Sequence, residues 1–125
     1  MTGQTLLQLP FLVVEDDVLV RTSAAEYLRA SGYAIVEAAT AAEAVDVINS
    51  VAVDVVFSDV QMPGGMDGVE LAEWVRAHHP SVAILLTSGN GPVAAGWSDV
   101  FLPKPYSLDE LARLVRSFVT SAQVP

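Results

Sequence analysis

A doubly wound α/β domain, a parallel sheet covered by helices on both faces, is the fold class that this sequence predicts. Short apolar runs of strand length alternate with stretches in which apolar residues recur every three or four positions. Two of the runs, "PFLVVEDD" and "VDVVFSD", are hydrophobic throughout and then end abruptly in acid, as strands buried on both faces do where their carboxyl ends meet solvent. Helices placed between strands require right-handed crossovers and therefore parallel pairing, here in a sheet of five strands.

Taken in order, "PFLVVEDD" is the first strand, and Val20, Ala24, Tyr27 and Leu28 recur at helical spacing from Val18 to Ser31, with Gly32 placed to cap that helix. "YAIVEA" is the second strand. Thr40 with Glu43 three residues on reads as a capping box that opens a helix carrying Ala44, Val47, Ile48 and Val51 on one side. "VDVVFSD" follows, and "GVELAEWVRAHH" sets Gly68, Leu71, Ala72 and Val75 on one helical face before Pro80 ends the helix. "VAILLT" and "DVFL" supply the last two strands. A second capping box, Ser107 with Glu110, starts a final helix that buries Leu111, Leu114, Val115 and Phe118.

The 125 residues suffice for one core, read here as a single domain over residues 10–119 with tails at 1–9 and 120–125. A composition of 52% hydrophobic and 17% charged residues lies far from that of disordered chains. No apolar stretch reaches the roughly 18 residues of a bilayer span, and "MTGQTLLQLP" lacks the features of a secretory leader, so a soluble, cytoplasmic protein is expected. The chain has no cysteine, which excludes disulfides, thiolate metal sites and thiol redox chemistry. A net charge of −9 with five scattered arginines argues against a nucleic-acid surface.

Ligands of doubly wound folds bind beyond the carboxyl ends of the strands. The residues there are Glu15, Asp16, Asp17, Asp59, Thr87 and Lys104, the last being the only lysine, held between Pro103 and Pro105 in "FLPKPYS". Each taken singly fits an ordinary loop; their coincidence at one end of different strands points to a site. Converging carboxylates repel one another, and a hard cation such as Mg²⁺, which prefers oxygen ligands and keeps several waters, relieves that repulsion. Thr87 adds a hydroxyl and Lys104 a positive point charge, a set suited to a phosphoryl group.

In order and spacing, "LVVEDD", "FSDVQMPGGMDG", "LLTSG" and "FLPKPYS" resemble the receiver domain of two-component response regulators, over nearly the whole chain. The resemblance implies a flavodoxin-like strand order 2-1-3-4-5. It makes Asp59 the phosphoacceptor, Asp16 a direct ligand of Mg²⁺, Glu15 a ligand through water and Gln61 a ligand through its backbone carbonyl. Thr87 and Lys104 would grip phosphoryl oxygens, and the Lys104–Pro105 bond would be cis. It further implies phosphoryl transfer from a histidine kinase or histidine phosphotransfer protein, no enzymatic turnover beyond self-catalysed phosphorylation and dephosphorylation, and signalling to a downstream protein target. Neither nucleic acid nor membrane is an expected partner of this chain. Val18, Leu19 and Thr22 on the first helix would face the kinase.

Some positions depart from the family pattern. Gly89, Gly91, Pro92 and Gly96 oppose helix formation in the short stretch before the fifth strand, so the family's fourth helix is expected to be truncated. The loop "MPGGMDG" carries an extra glycine, and Gly89 leaves one side of the acceptor open to water. Phe101 stands where the family often has Tyr; it is either a steric switch residue coupled to Thr87 or a core aromatic of the fifth strand. Trp74 and Trp97 read either as partner-facing or as edges of the core, and His78 and His79 as surface residues. Two other functions fit less well. An aspartate-nucleophile phosphatase would place an acid where Gln61 stands, and a binding-only domain would not be expected to keep both Asp59 and Lys104.

Overall fold

The computed structural model describes residues 10–89 and 100–123 of the chain. Its elements alternate as expected: β1 (Phe11–Val14), α1 (Val18–Ala30), β2 (Ile35–Ala38), α2 (Ala41–Ser50), β3 (Val55–Asp59), α3 (Gly68–His78), β4 (Ala83–Ser88), β5 (Val100–Pro103) and α4 (Leu108–Gln123). The strands form one parallel sheet in the order β2-β1-β3-β4-β5. The expected truncation of a helix between β4 and β5 falls on residues 90–99, outside the described residues, as do Trp97 and the N-terminal tail. No described helix is long and apolar enough to cross a membrane.

Because successive side chains of a strand point to opposite faces, each strand feeds two apolar layers. Leu12, Val14, Val56, Ile84 and Leu86 meet Ala44 and Ile48 of α2 and Leu71, Ala72 and Val75 of α3. Phe11, Val13, Val55, Phe57, Leu85 and Leu102 meet Ala24, Ala25 and Leu28 of α1 and Leu111 and Val115 of α4. Each fully buried Leu or Val contributes about 1.5–3 kcal/mol by leaving water. Phe101 and Trp74 lie half-buried against the first layer, as core-edge aromatics do, and Trp74 also stacks on His78 at 4.9 Å.

The helix ends follow from local chemistry. Asp17 caps α1 by accepting from the amides of Leu19 (2.9 Å) and Val20 (3.1 Å). At the far end Ser31 is the cap and Gly32 takes φ 103°, a left-handed turn that returns the Tyr33 amide to the Leu28 carbonyl at 3.1 Å. Ser107 and Glu110 form the reciprocal box that the sequence predicts for α4. At α2 the expectation needs correcting. Thr40 caps the Glu43 amide, but Glu43 reaches back to the amide of Ala39, one residue before the cap. Val51 also leaves the apolar stripe: α2 ends at Ser50, and Val51, in extended conformation, is exposed. A further box, Asp67 with Glu70, opens α3.

Register fixes which residues share the upper rim of the sheet. Val14 pairs with Ser58, Asp59 with Thr87, Thr87 with Leu102 and Ser88 with Pro103. Glu15 and Lys104 each follow by one residue a strand end, so the polar groups come together in one row.

Candidate functional site

The site is built from the ends of β1, β3, β4 and β5. Glu15 and Asp59 are buried, at 5% and 6% exposure, whereas Asp16 is exposed. One carboxylate oxygen from each of the three lies within 4.8 Å of the others. The Lys104 ammonium, on a cis Lys104–Pro105 bond, reaches into this group and donates to Asp59 Oδ2 at 2.9 Å and to Glu15 Oε1 at 3.1 Å. The remaining oxygens are steadied by backbone: the Asp17 amide donates to Glu15 Oε2 at 3.1 Å, and the Gln61 amide to Asp59 Oδ1 at 3.3 Å.

Electrostatics follow from this crowding. Burial, aided by the charge of Asp59, pushes the Glu15 carboxyl above its ordinary value even though Asp17 and Lys104 donate to it. Burial on its own would lower the Lys104 ammonium. Its hydrogen bonds to Asp59 and Glu15, together with their charges, outweigh that and hold Lys104 above the usual lysine value. Tyr106, edge-on to Phe57, is pushed up to about 12 by burial and then by the negative charge of Glu15.

Thr87 completes the group from β4. Its hydroxyl is fully buried and has no hydrogen-bond partner among the described residues, an arrangement that costs about 1–3 kcal/mol unless a ligand supplies an acceptor. Hard carboxylate donors, a lone buried hydroxyl and a fixed ammonium suit a divalent oxygen-loving cation beside an oxyanion. Gln61 is exposed, and its side-chain carbonyl accepts from Ser88 Oγ at 2.8 Å. Among the described residues only Lys104 Cβ, at 3.9 Å, comes into contact range of a side chain at Gly89.

Every predicted site residue except Phe101 thus lies on this rim, and Asp17 serves as the cap of α1. Sequence reasoning missed three contributors. Gly68 begins α3 directly over the acceptor strand: a Cβ there would collide with the Asp59 carbonyl oxygen. Its "DG" after the loop was the available signal. Tyr106 follows Lys104-Pro105 and lines, with Lys104 and residues of α1, the groove beside the site. Arg21 donates through Nη1 to the Glu15 carbonyl at 2.9 Å. Only its spacing, four residues after the cap Asp17, hinted at that. Beside Lys104 a mainly apolar groove of about 670 Å³ runs between α1 and the start of α4, lined by Leu19, Val20, Tyr106 and Leu108 among others.

Comparison with known proteins agrees with this geometry. The family model for the response regulator receiver domain matches residues 11–116. The sensor kinase CckA of Brucella abortus is 37% identical over 118 residues, covering 86% of this chain and 12% of that protein. Other curated relatives are likewise longer, the chain spanning 25% to 49% of their length. The solved receiver domain of a hybrid histidine kinase CckA shares 36% identity, with TM-score 0.76 over 88% of this chain and 98% of that one. The response regulator TrrA of Thermotoga maritima, solved with Mg²⁺ and BeF, shares 28% identity, with TM-score 0.79 over 87% of this chain and 97% of that one. The chain therefore belongs to the response regulator receiver domain family, and is a receiver domain of two-component systems.

Proposed function

We propose that Asp59 accepts a phosphoryl group from a phosphohistidine on a histidine kinase or histidine phosphotransfer protein. One observation carries this reading above the others. Lys104 bridges Asp59 and Glu15 while the buried Thr87 hydroxyl, on the adjacent strand, stands without an acceptor among the described residues. An Asp59 carboxylate oxygen attacks phosphorus in line, forming a P–O bond as the P–N bond breaks; the imidazole nitrogen keeps the electron pair and takes up a proton. Lys104, held charged by its two partners, offsets charge on one phosphoryl oxygen, and Thr87 donates to another. Glu15, Asp16, Asp59 and the Gln61 backbone carbonyl would hold Mg²⁺, which when bound adds further neutralisation of the phosphoryl oxygens. Water later cleaves the acyl phosphate to carboxylate and inorganic phosphate, a self-catalysed reset without turnover of a metabolite.

The signal follows from Thr87 engaging the phosphoryl group, with Phe101, half-buried two strands from Asp59, repacking sterically to pass the change to a downstream protein. The kinase docks in the cytoplasm against Val18, Leu19 and Thr22, of which Val18 and Leu19 are well exposed beside the groove along α1. The deciding experiment is intact-protein mass after incubation with Mg²⁺ and acetyl phosphate. A single phosphoryl adduct that needs the metal and is absent from Asp59→Asn is expected. No adduct from either acetyl phosphate or a phosphohistidine donor would sink the proposal.

A further inference from the structure

Two arginines converge on one carboxylate behind the acidic pocket. Arg21 Nε pairs with Glu37 Oε1 at 3.2 Å, and Arg29 Nη1 pairs with Glu37 Oε2 at 3.0 Å. Arg29 also donates to the Ile35 carbonyl at 2.9 Å, which fixes it to β2. Arg21 uses its other arm differently: Nη1 donates to the Glu15 carbonyl at 2.9 Å. Its planar fork thereby ties the β1–α1 connection to a strand on the far side of β1, and its side chain is only 18% exposed.

The Glu15 carbonyl belongs to the same rigid peptide unit as the Asp16 amide. Whatever holds that carbonyl also sets the direction in which Asp16 leaves the backbone. This matters most for Asp16, because Glu15 and Asp59 are steadied at their carboxylates by Lys104 and by backbone amides, whereas no described hydrogen bond reaches the Asp16 carboxylate. We infer that Arg21, anchored by Glu37, is a positioning residue that aims Asp16 at the cation site. The inference rests on the reading of that site as a divalent-cation pocket.

Positioning and simple charge predict opposite outcomes. A guanidinium near a cation site repels the cation, so if charge alone mattered its removal would tighten binding. If Arg21 positions Asp16, its removal weakens binding as loss of an outer-shell orienting partner does, by about tenfold.

The test is Mg²⁺ titration by calorimetry on the whole chain, with the metal-free melting temperature measured for each variant. Arg21→Ala is expected to raise the Mg²⁺ Kd about tenfold, and Arg21→Lys and Glu37→Gln by about threefold, since each leaves part of the bridge. Arg29→Ala, which breaks the Glu37 and Ile35 contacts but leaves Arg21 on Glu15, should bind Mg²⁺ as the parent does. Should Arg21→Ala fold poorly, Arg21→Lys carries the comparison. An unchanged or tighter Kd in the Arg21 variants overturns the inference, as does equal weakening in Arg29→Ala, which would mark a merely structural role. A parent protein that binds no Mg²⁺ overturns the reading of the pocket itself.

Discussion

The body of the sheet and its carboxyl rim are made of the same five strands and differ in how completely their groups are satisfied. In the body, Leu12, Leu85 and Leu86 are wholly buried among apolar neighbours, and parallel ladders use up the backbone polar groups. One to three residues further along, Glu15, Asp59 and Thr87 are almost as deeply buried, yet two of them are like charges sharing one ammonium and the third has a hydroxyl without a partner among the described residues. The contrast teaches that this domain puts its stability in the layers and keeps its unmet electrostatic demand on a single edge, where a cation and an oxyanion would answer it.

The comparison breaks most visibly in the body. Leu85→Ala, at a position with no exposure, should lower unfolding free energy by about 2–5 kcal/mol in a denaturant titration, while molecules still folded respond to Mg²⁺ like the parent. Gly68→Ala joins the two regions, because its methyl group must displace the Asp59 backbone. A loss of about 1–3 kcal/mol is expected, with a phosphorylation rate by acetyl phosphate reduced at least about tenfold. A normal rate in this variant would show that Asp59 tolerates the shift. On the rim the sign reverses. Thr87→Val replaces a hydroxyl that has no partner among the described residues by a methyl group and should stabilise the unphosphorylated protein by about 1 kcal/mol, while weakening any phosphorylation-dependent response read by tryptophan fluorescence.

The smallest effect is a pH dependence. The folded state raises the Glu15 pKa, so it binds that proton more tightly than the unfolded chain does. The corresponding stability is present below the ordinary value of 4.5 and is lost as pH rises through the higher folded value. Melting curves of metal-free Glu15→Gln should therefore gain on the parent as pH climbs from about 4 toward 7. A gap that narrows over that range would contradict the burial of Glu15.

Much of the fold was legible because strands buried on both faces leave continuous apolar runs, and because Ser107 with Glu110 and Gly68 with Leu71, Ala72 and Val75 follow helical spacing that packing then honours. Glu15, Asp59, Thr87 and Lys104 were legible for a related reason: each is a polar residue at the abrupt end of an apolar run. Val51 was misread since periodicity continues past the point where the chain turns extended, and nothing in the pattern marks that turn. The Glu43 side chain took the amide of Ala39, not that of the cap, a choice of backbone geometry that residue spacing does not carry. Arg21 and Glu37 stayed hidden because their meeting depends on β1 and β2 lying side by side, a long-range pairing that five scattered arginines do not announce.

The pairing of Asp59 with Thr87 across β3 and β4 makes the site one residue deep. Alternation along a strand is strict, so an insertion or deletion of a single residue within β3 or β4 would turn one member of the set to the opposite layer and bring a neighbour, Ser58 or Val60 for Asp59 and Leu86 or Ser88 for Thr87, into its place. Glu15, Asp16 and Lys104, in the first residues beyond their strands, share this constraint, whereas the part of the β3–α3 connection beyond Gln61 carries no site residue until Gly68. The tandem glycines Gly64 and Gly65 sit in that connection, with no described atom near enough to meet an added side chain, though Gly64 itself holds a left-handed φ of 100°. A one-residue change of length is thus expected to cost less at these glycines than in the row itself, whose members cannot be shifted singly.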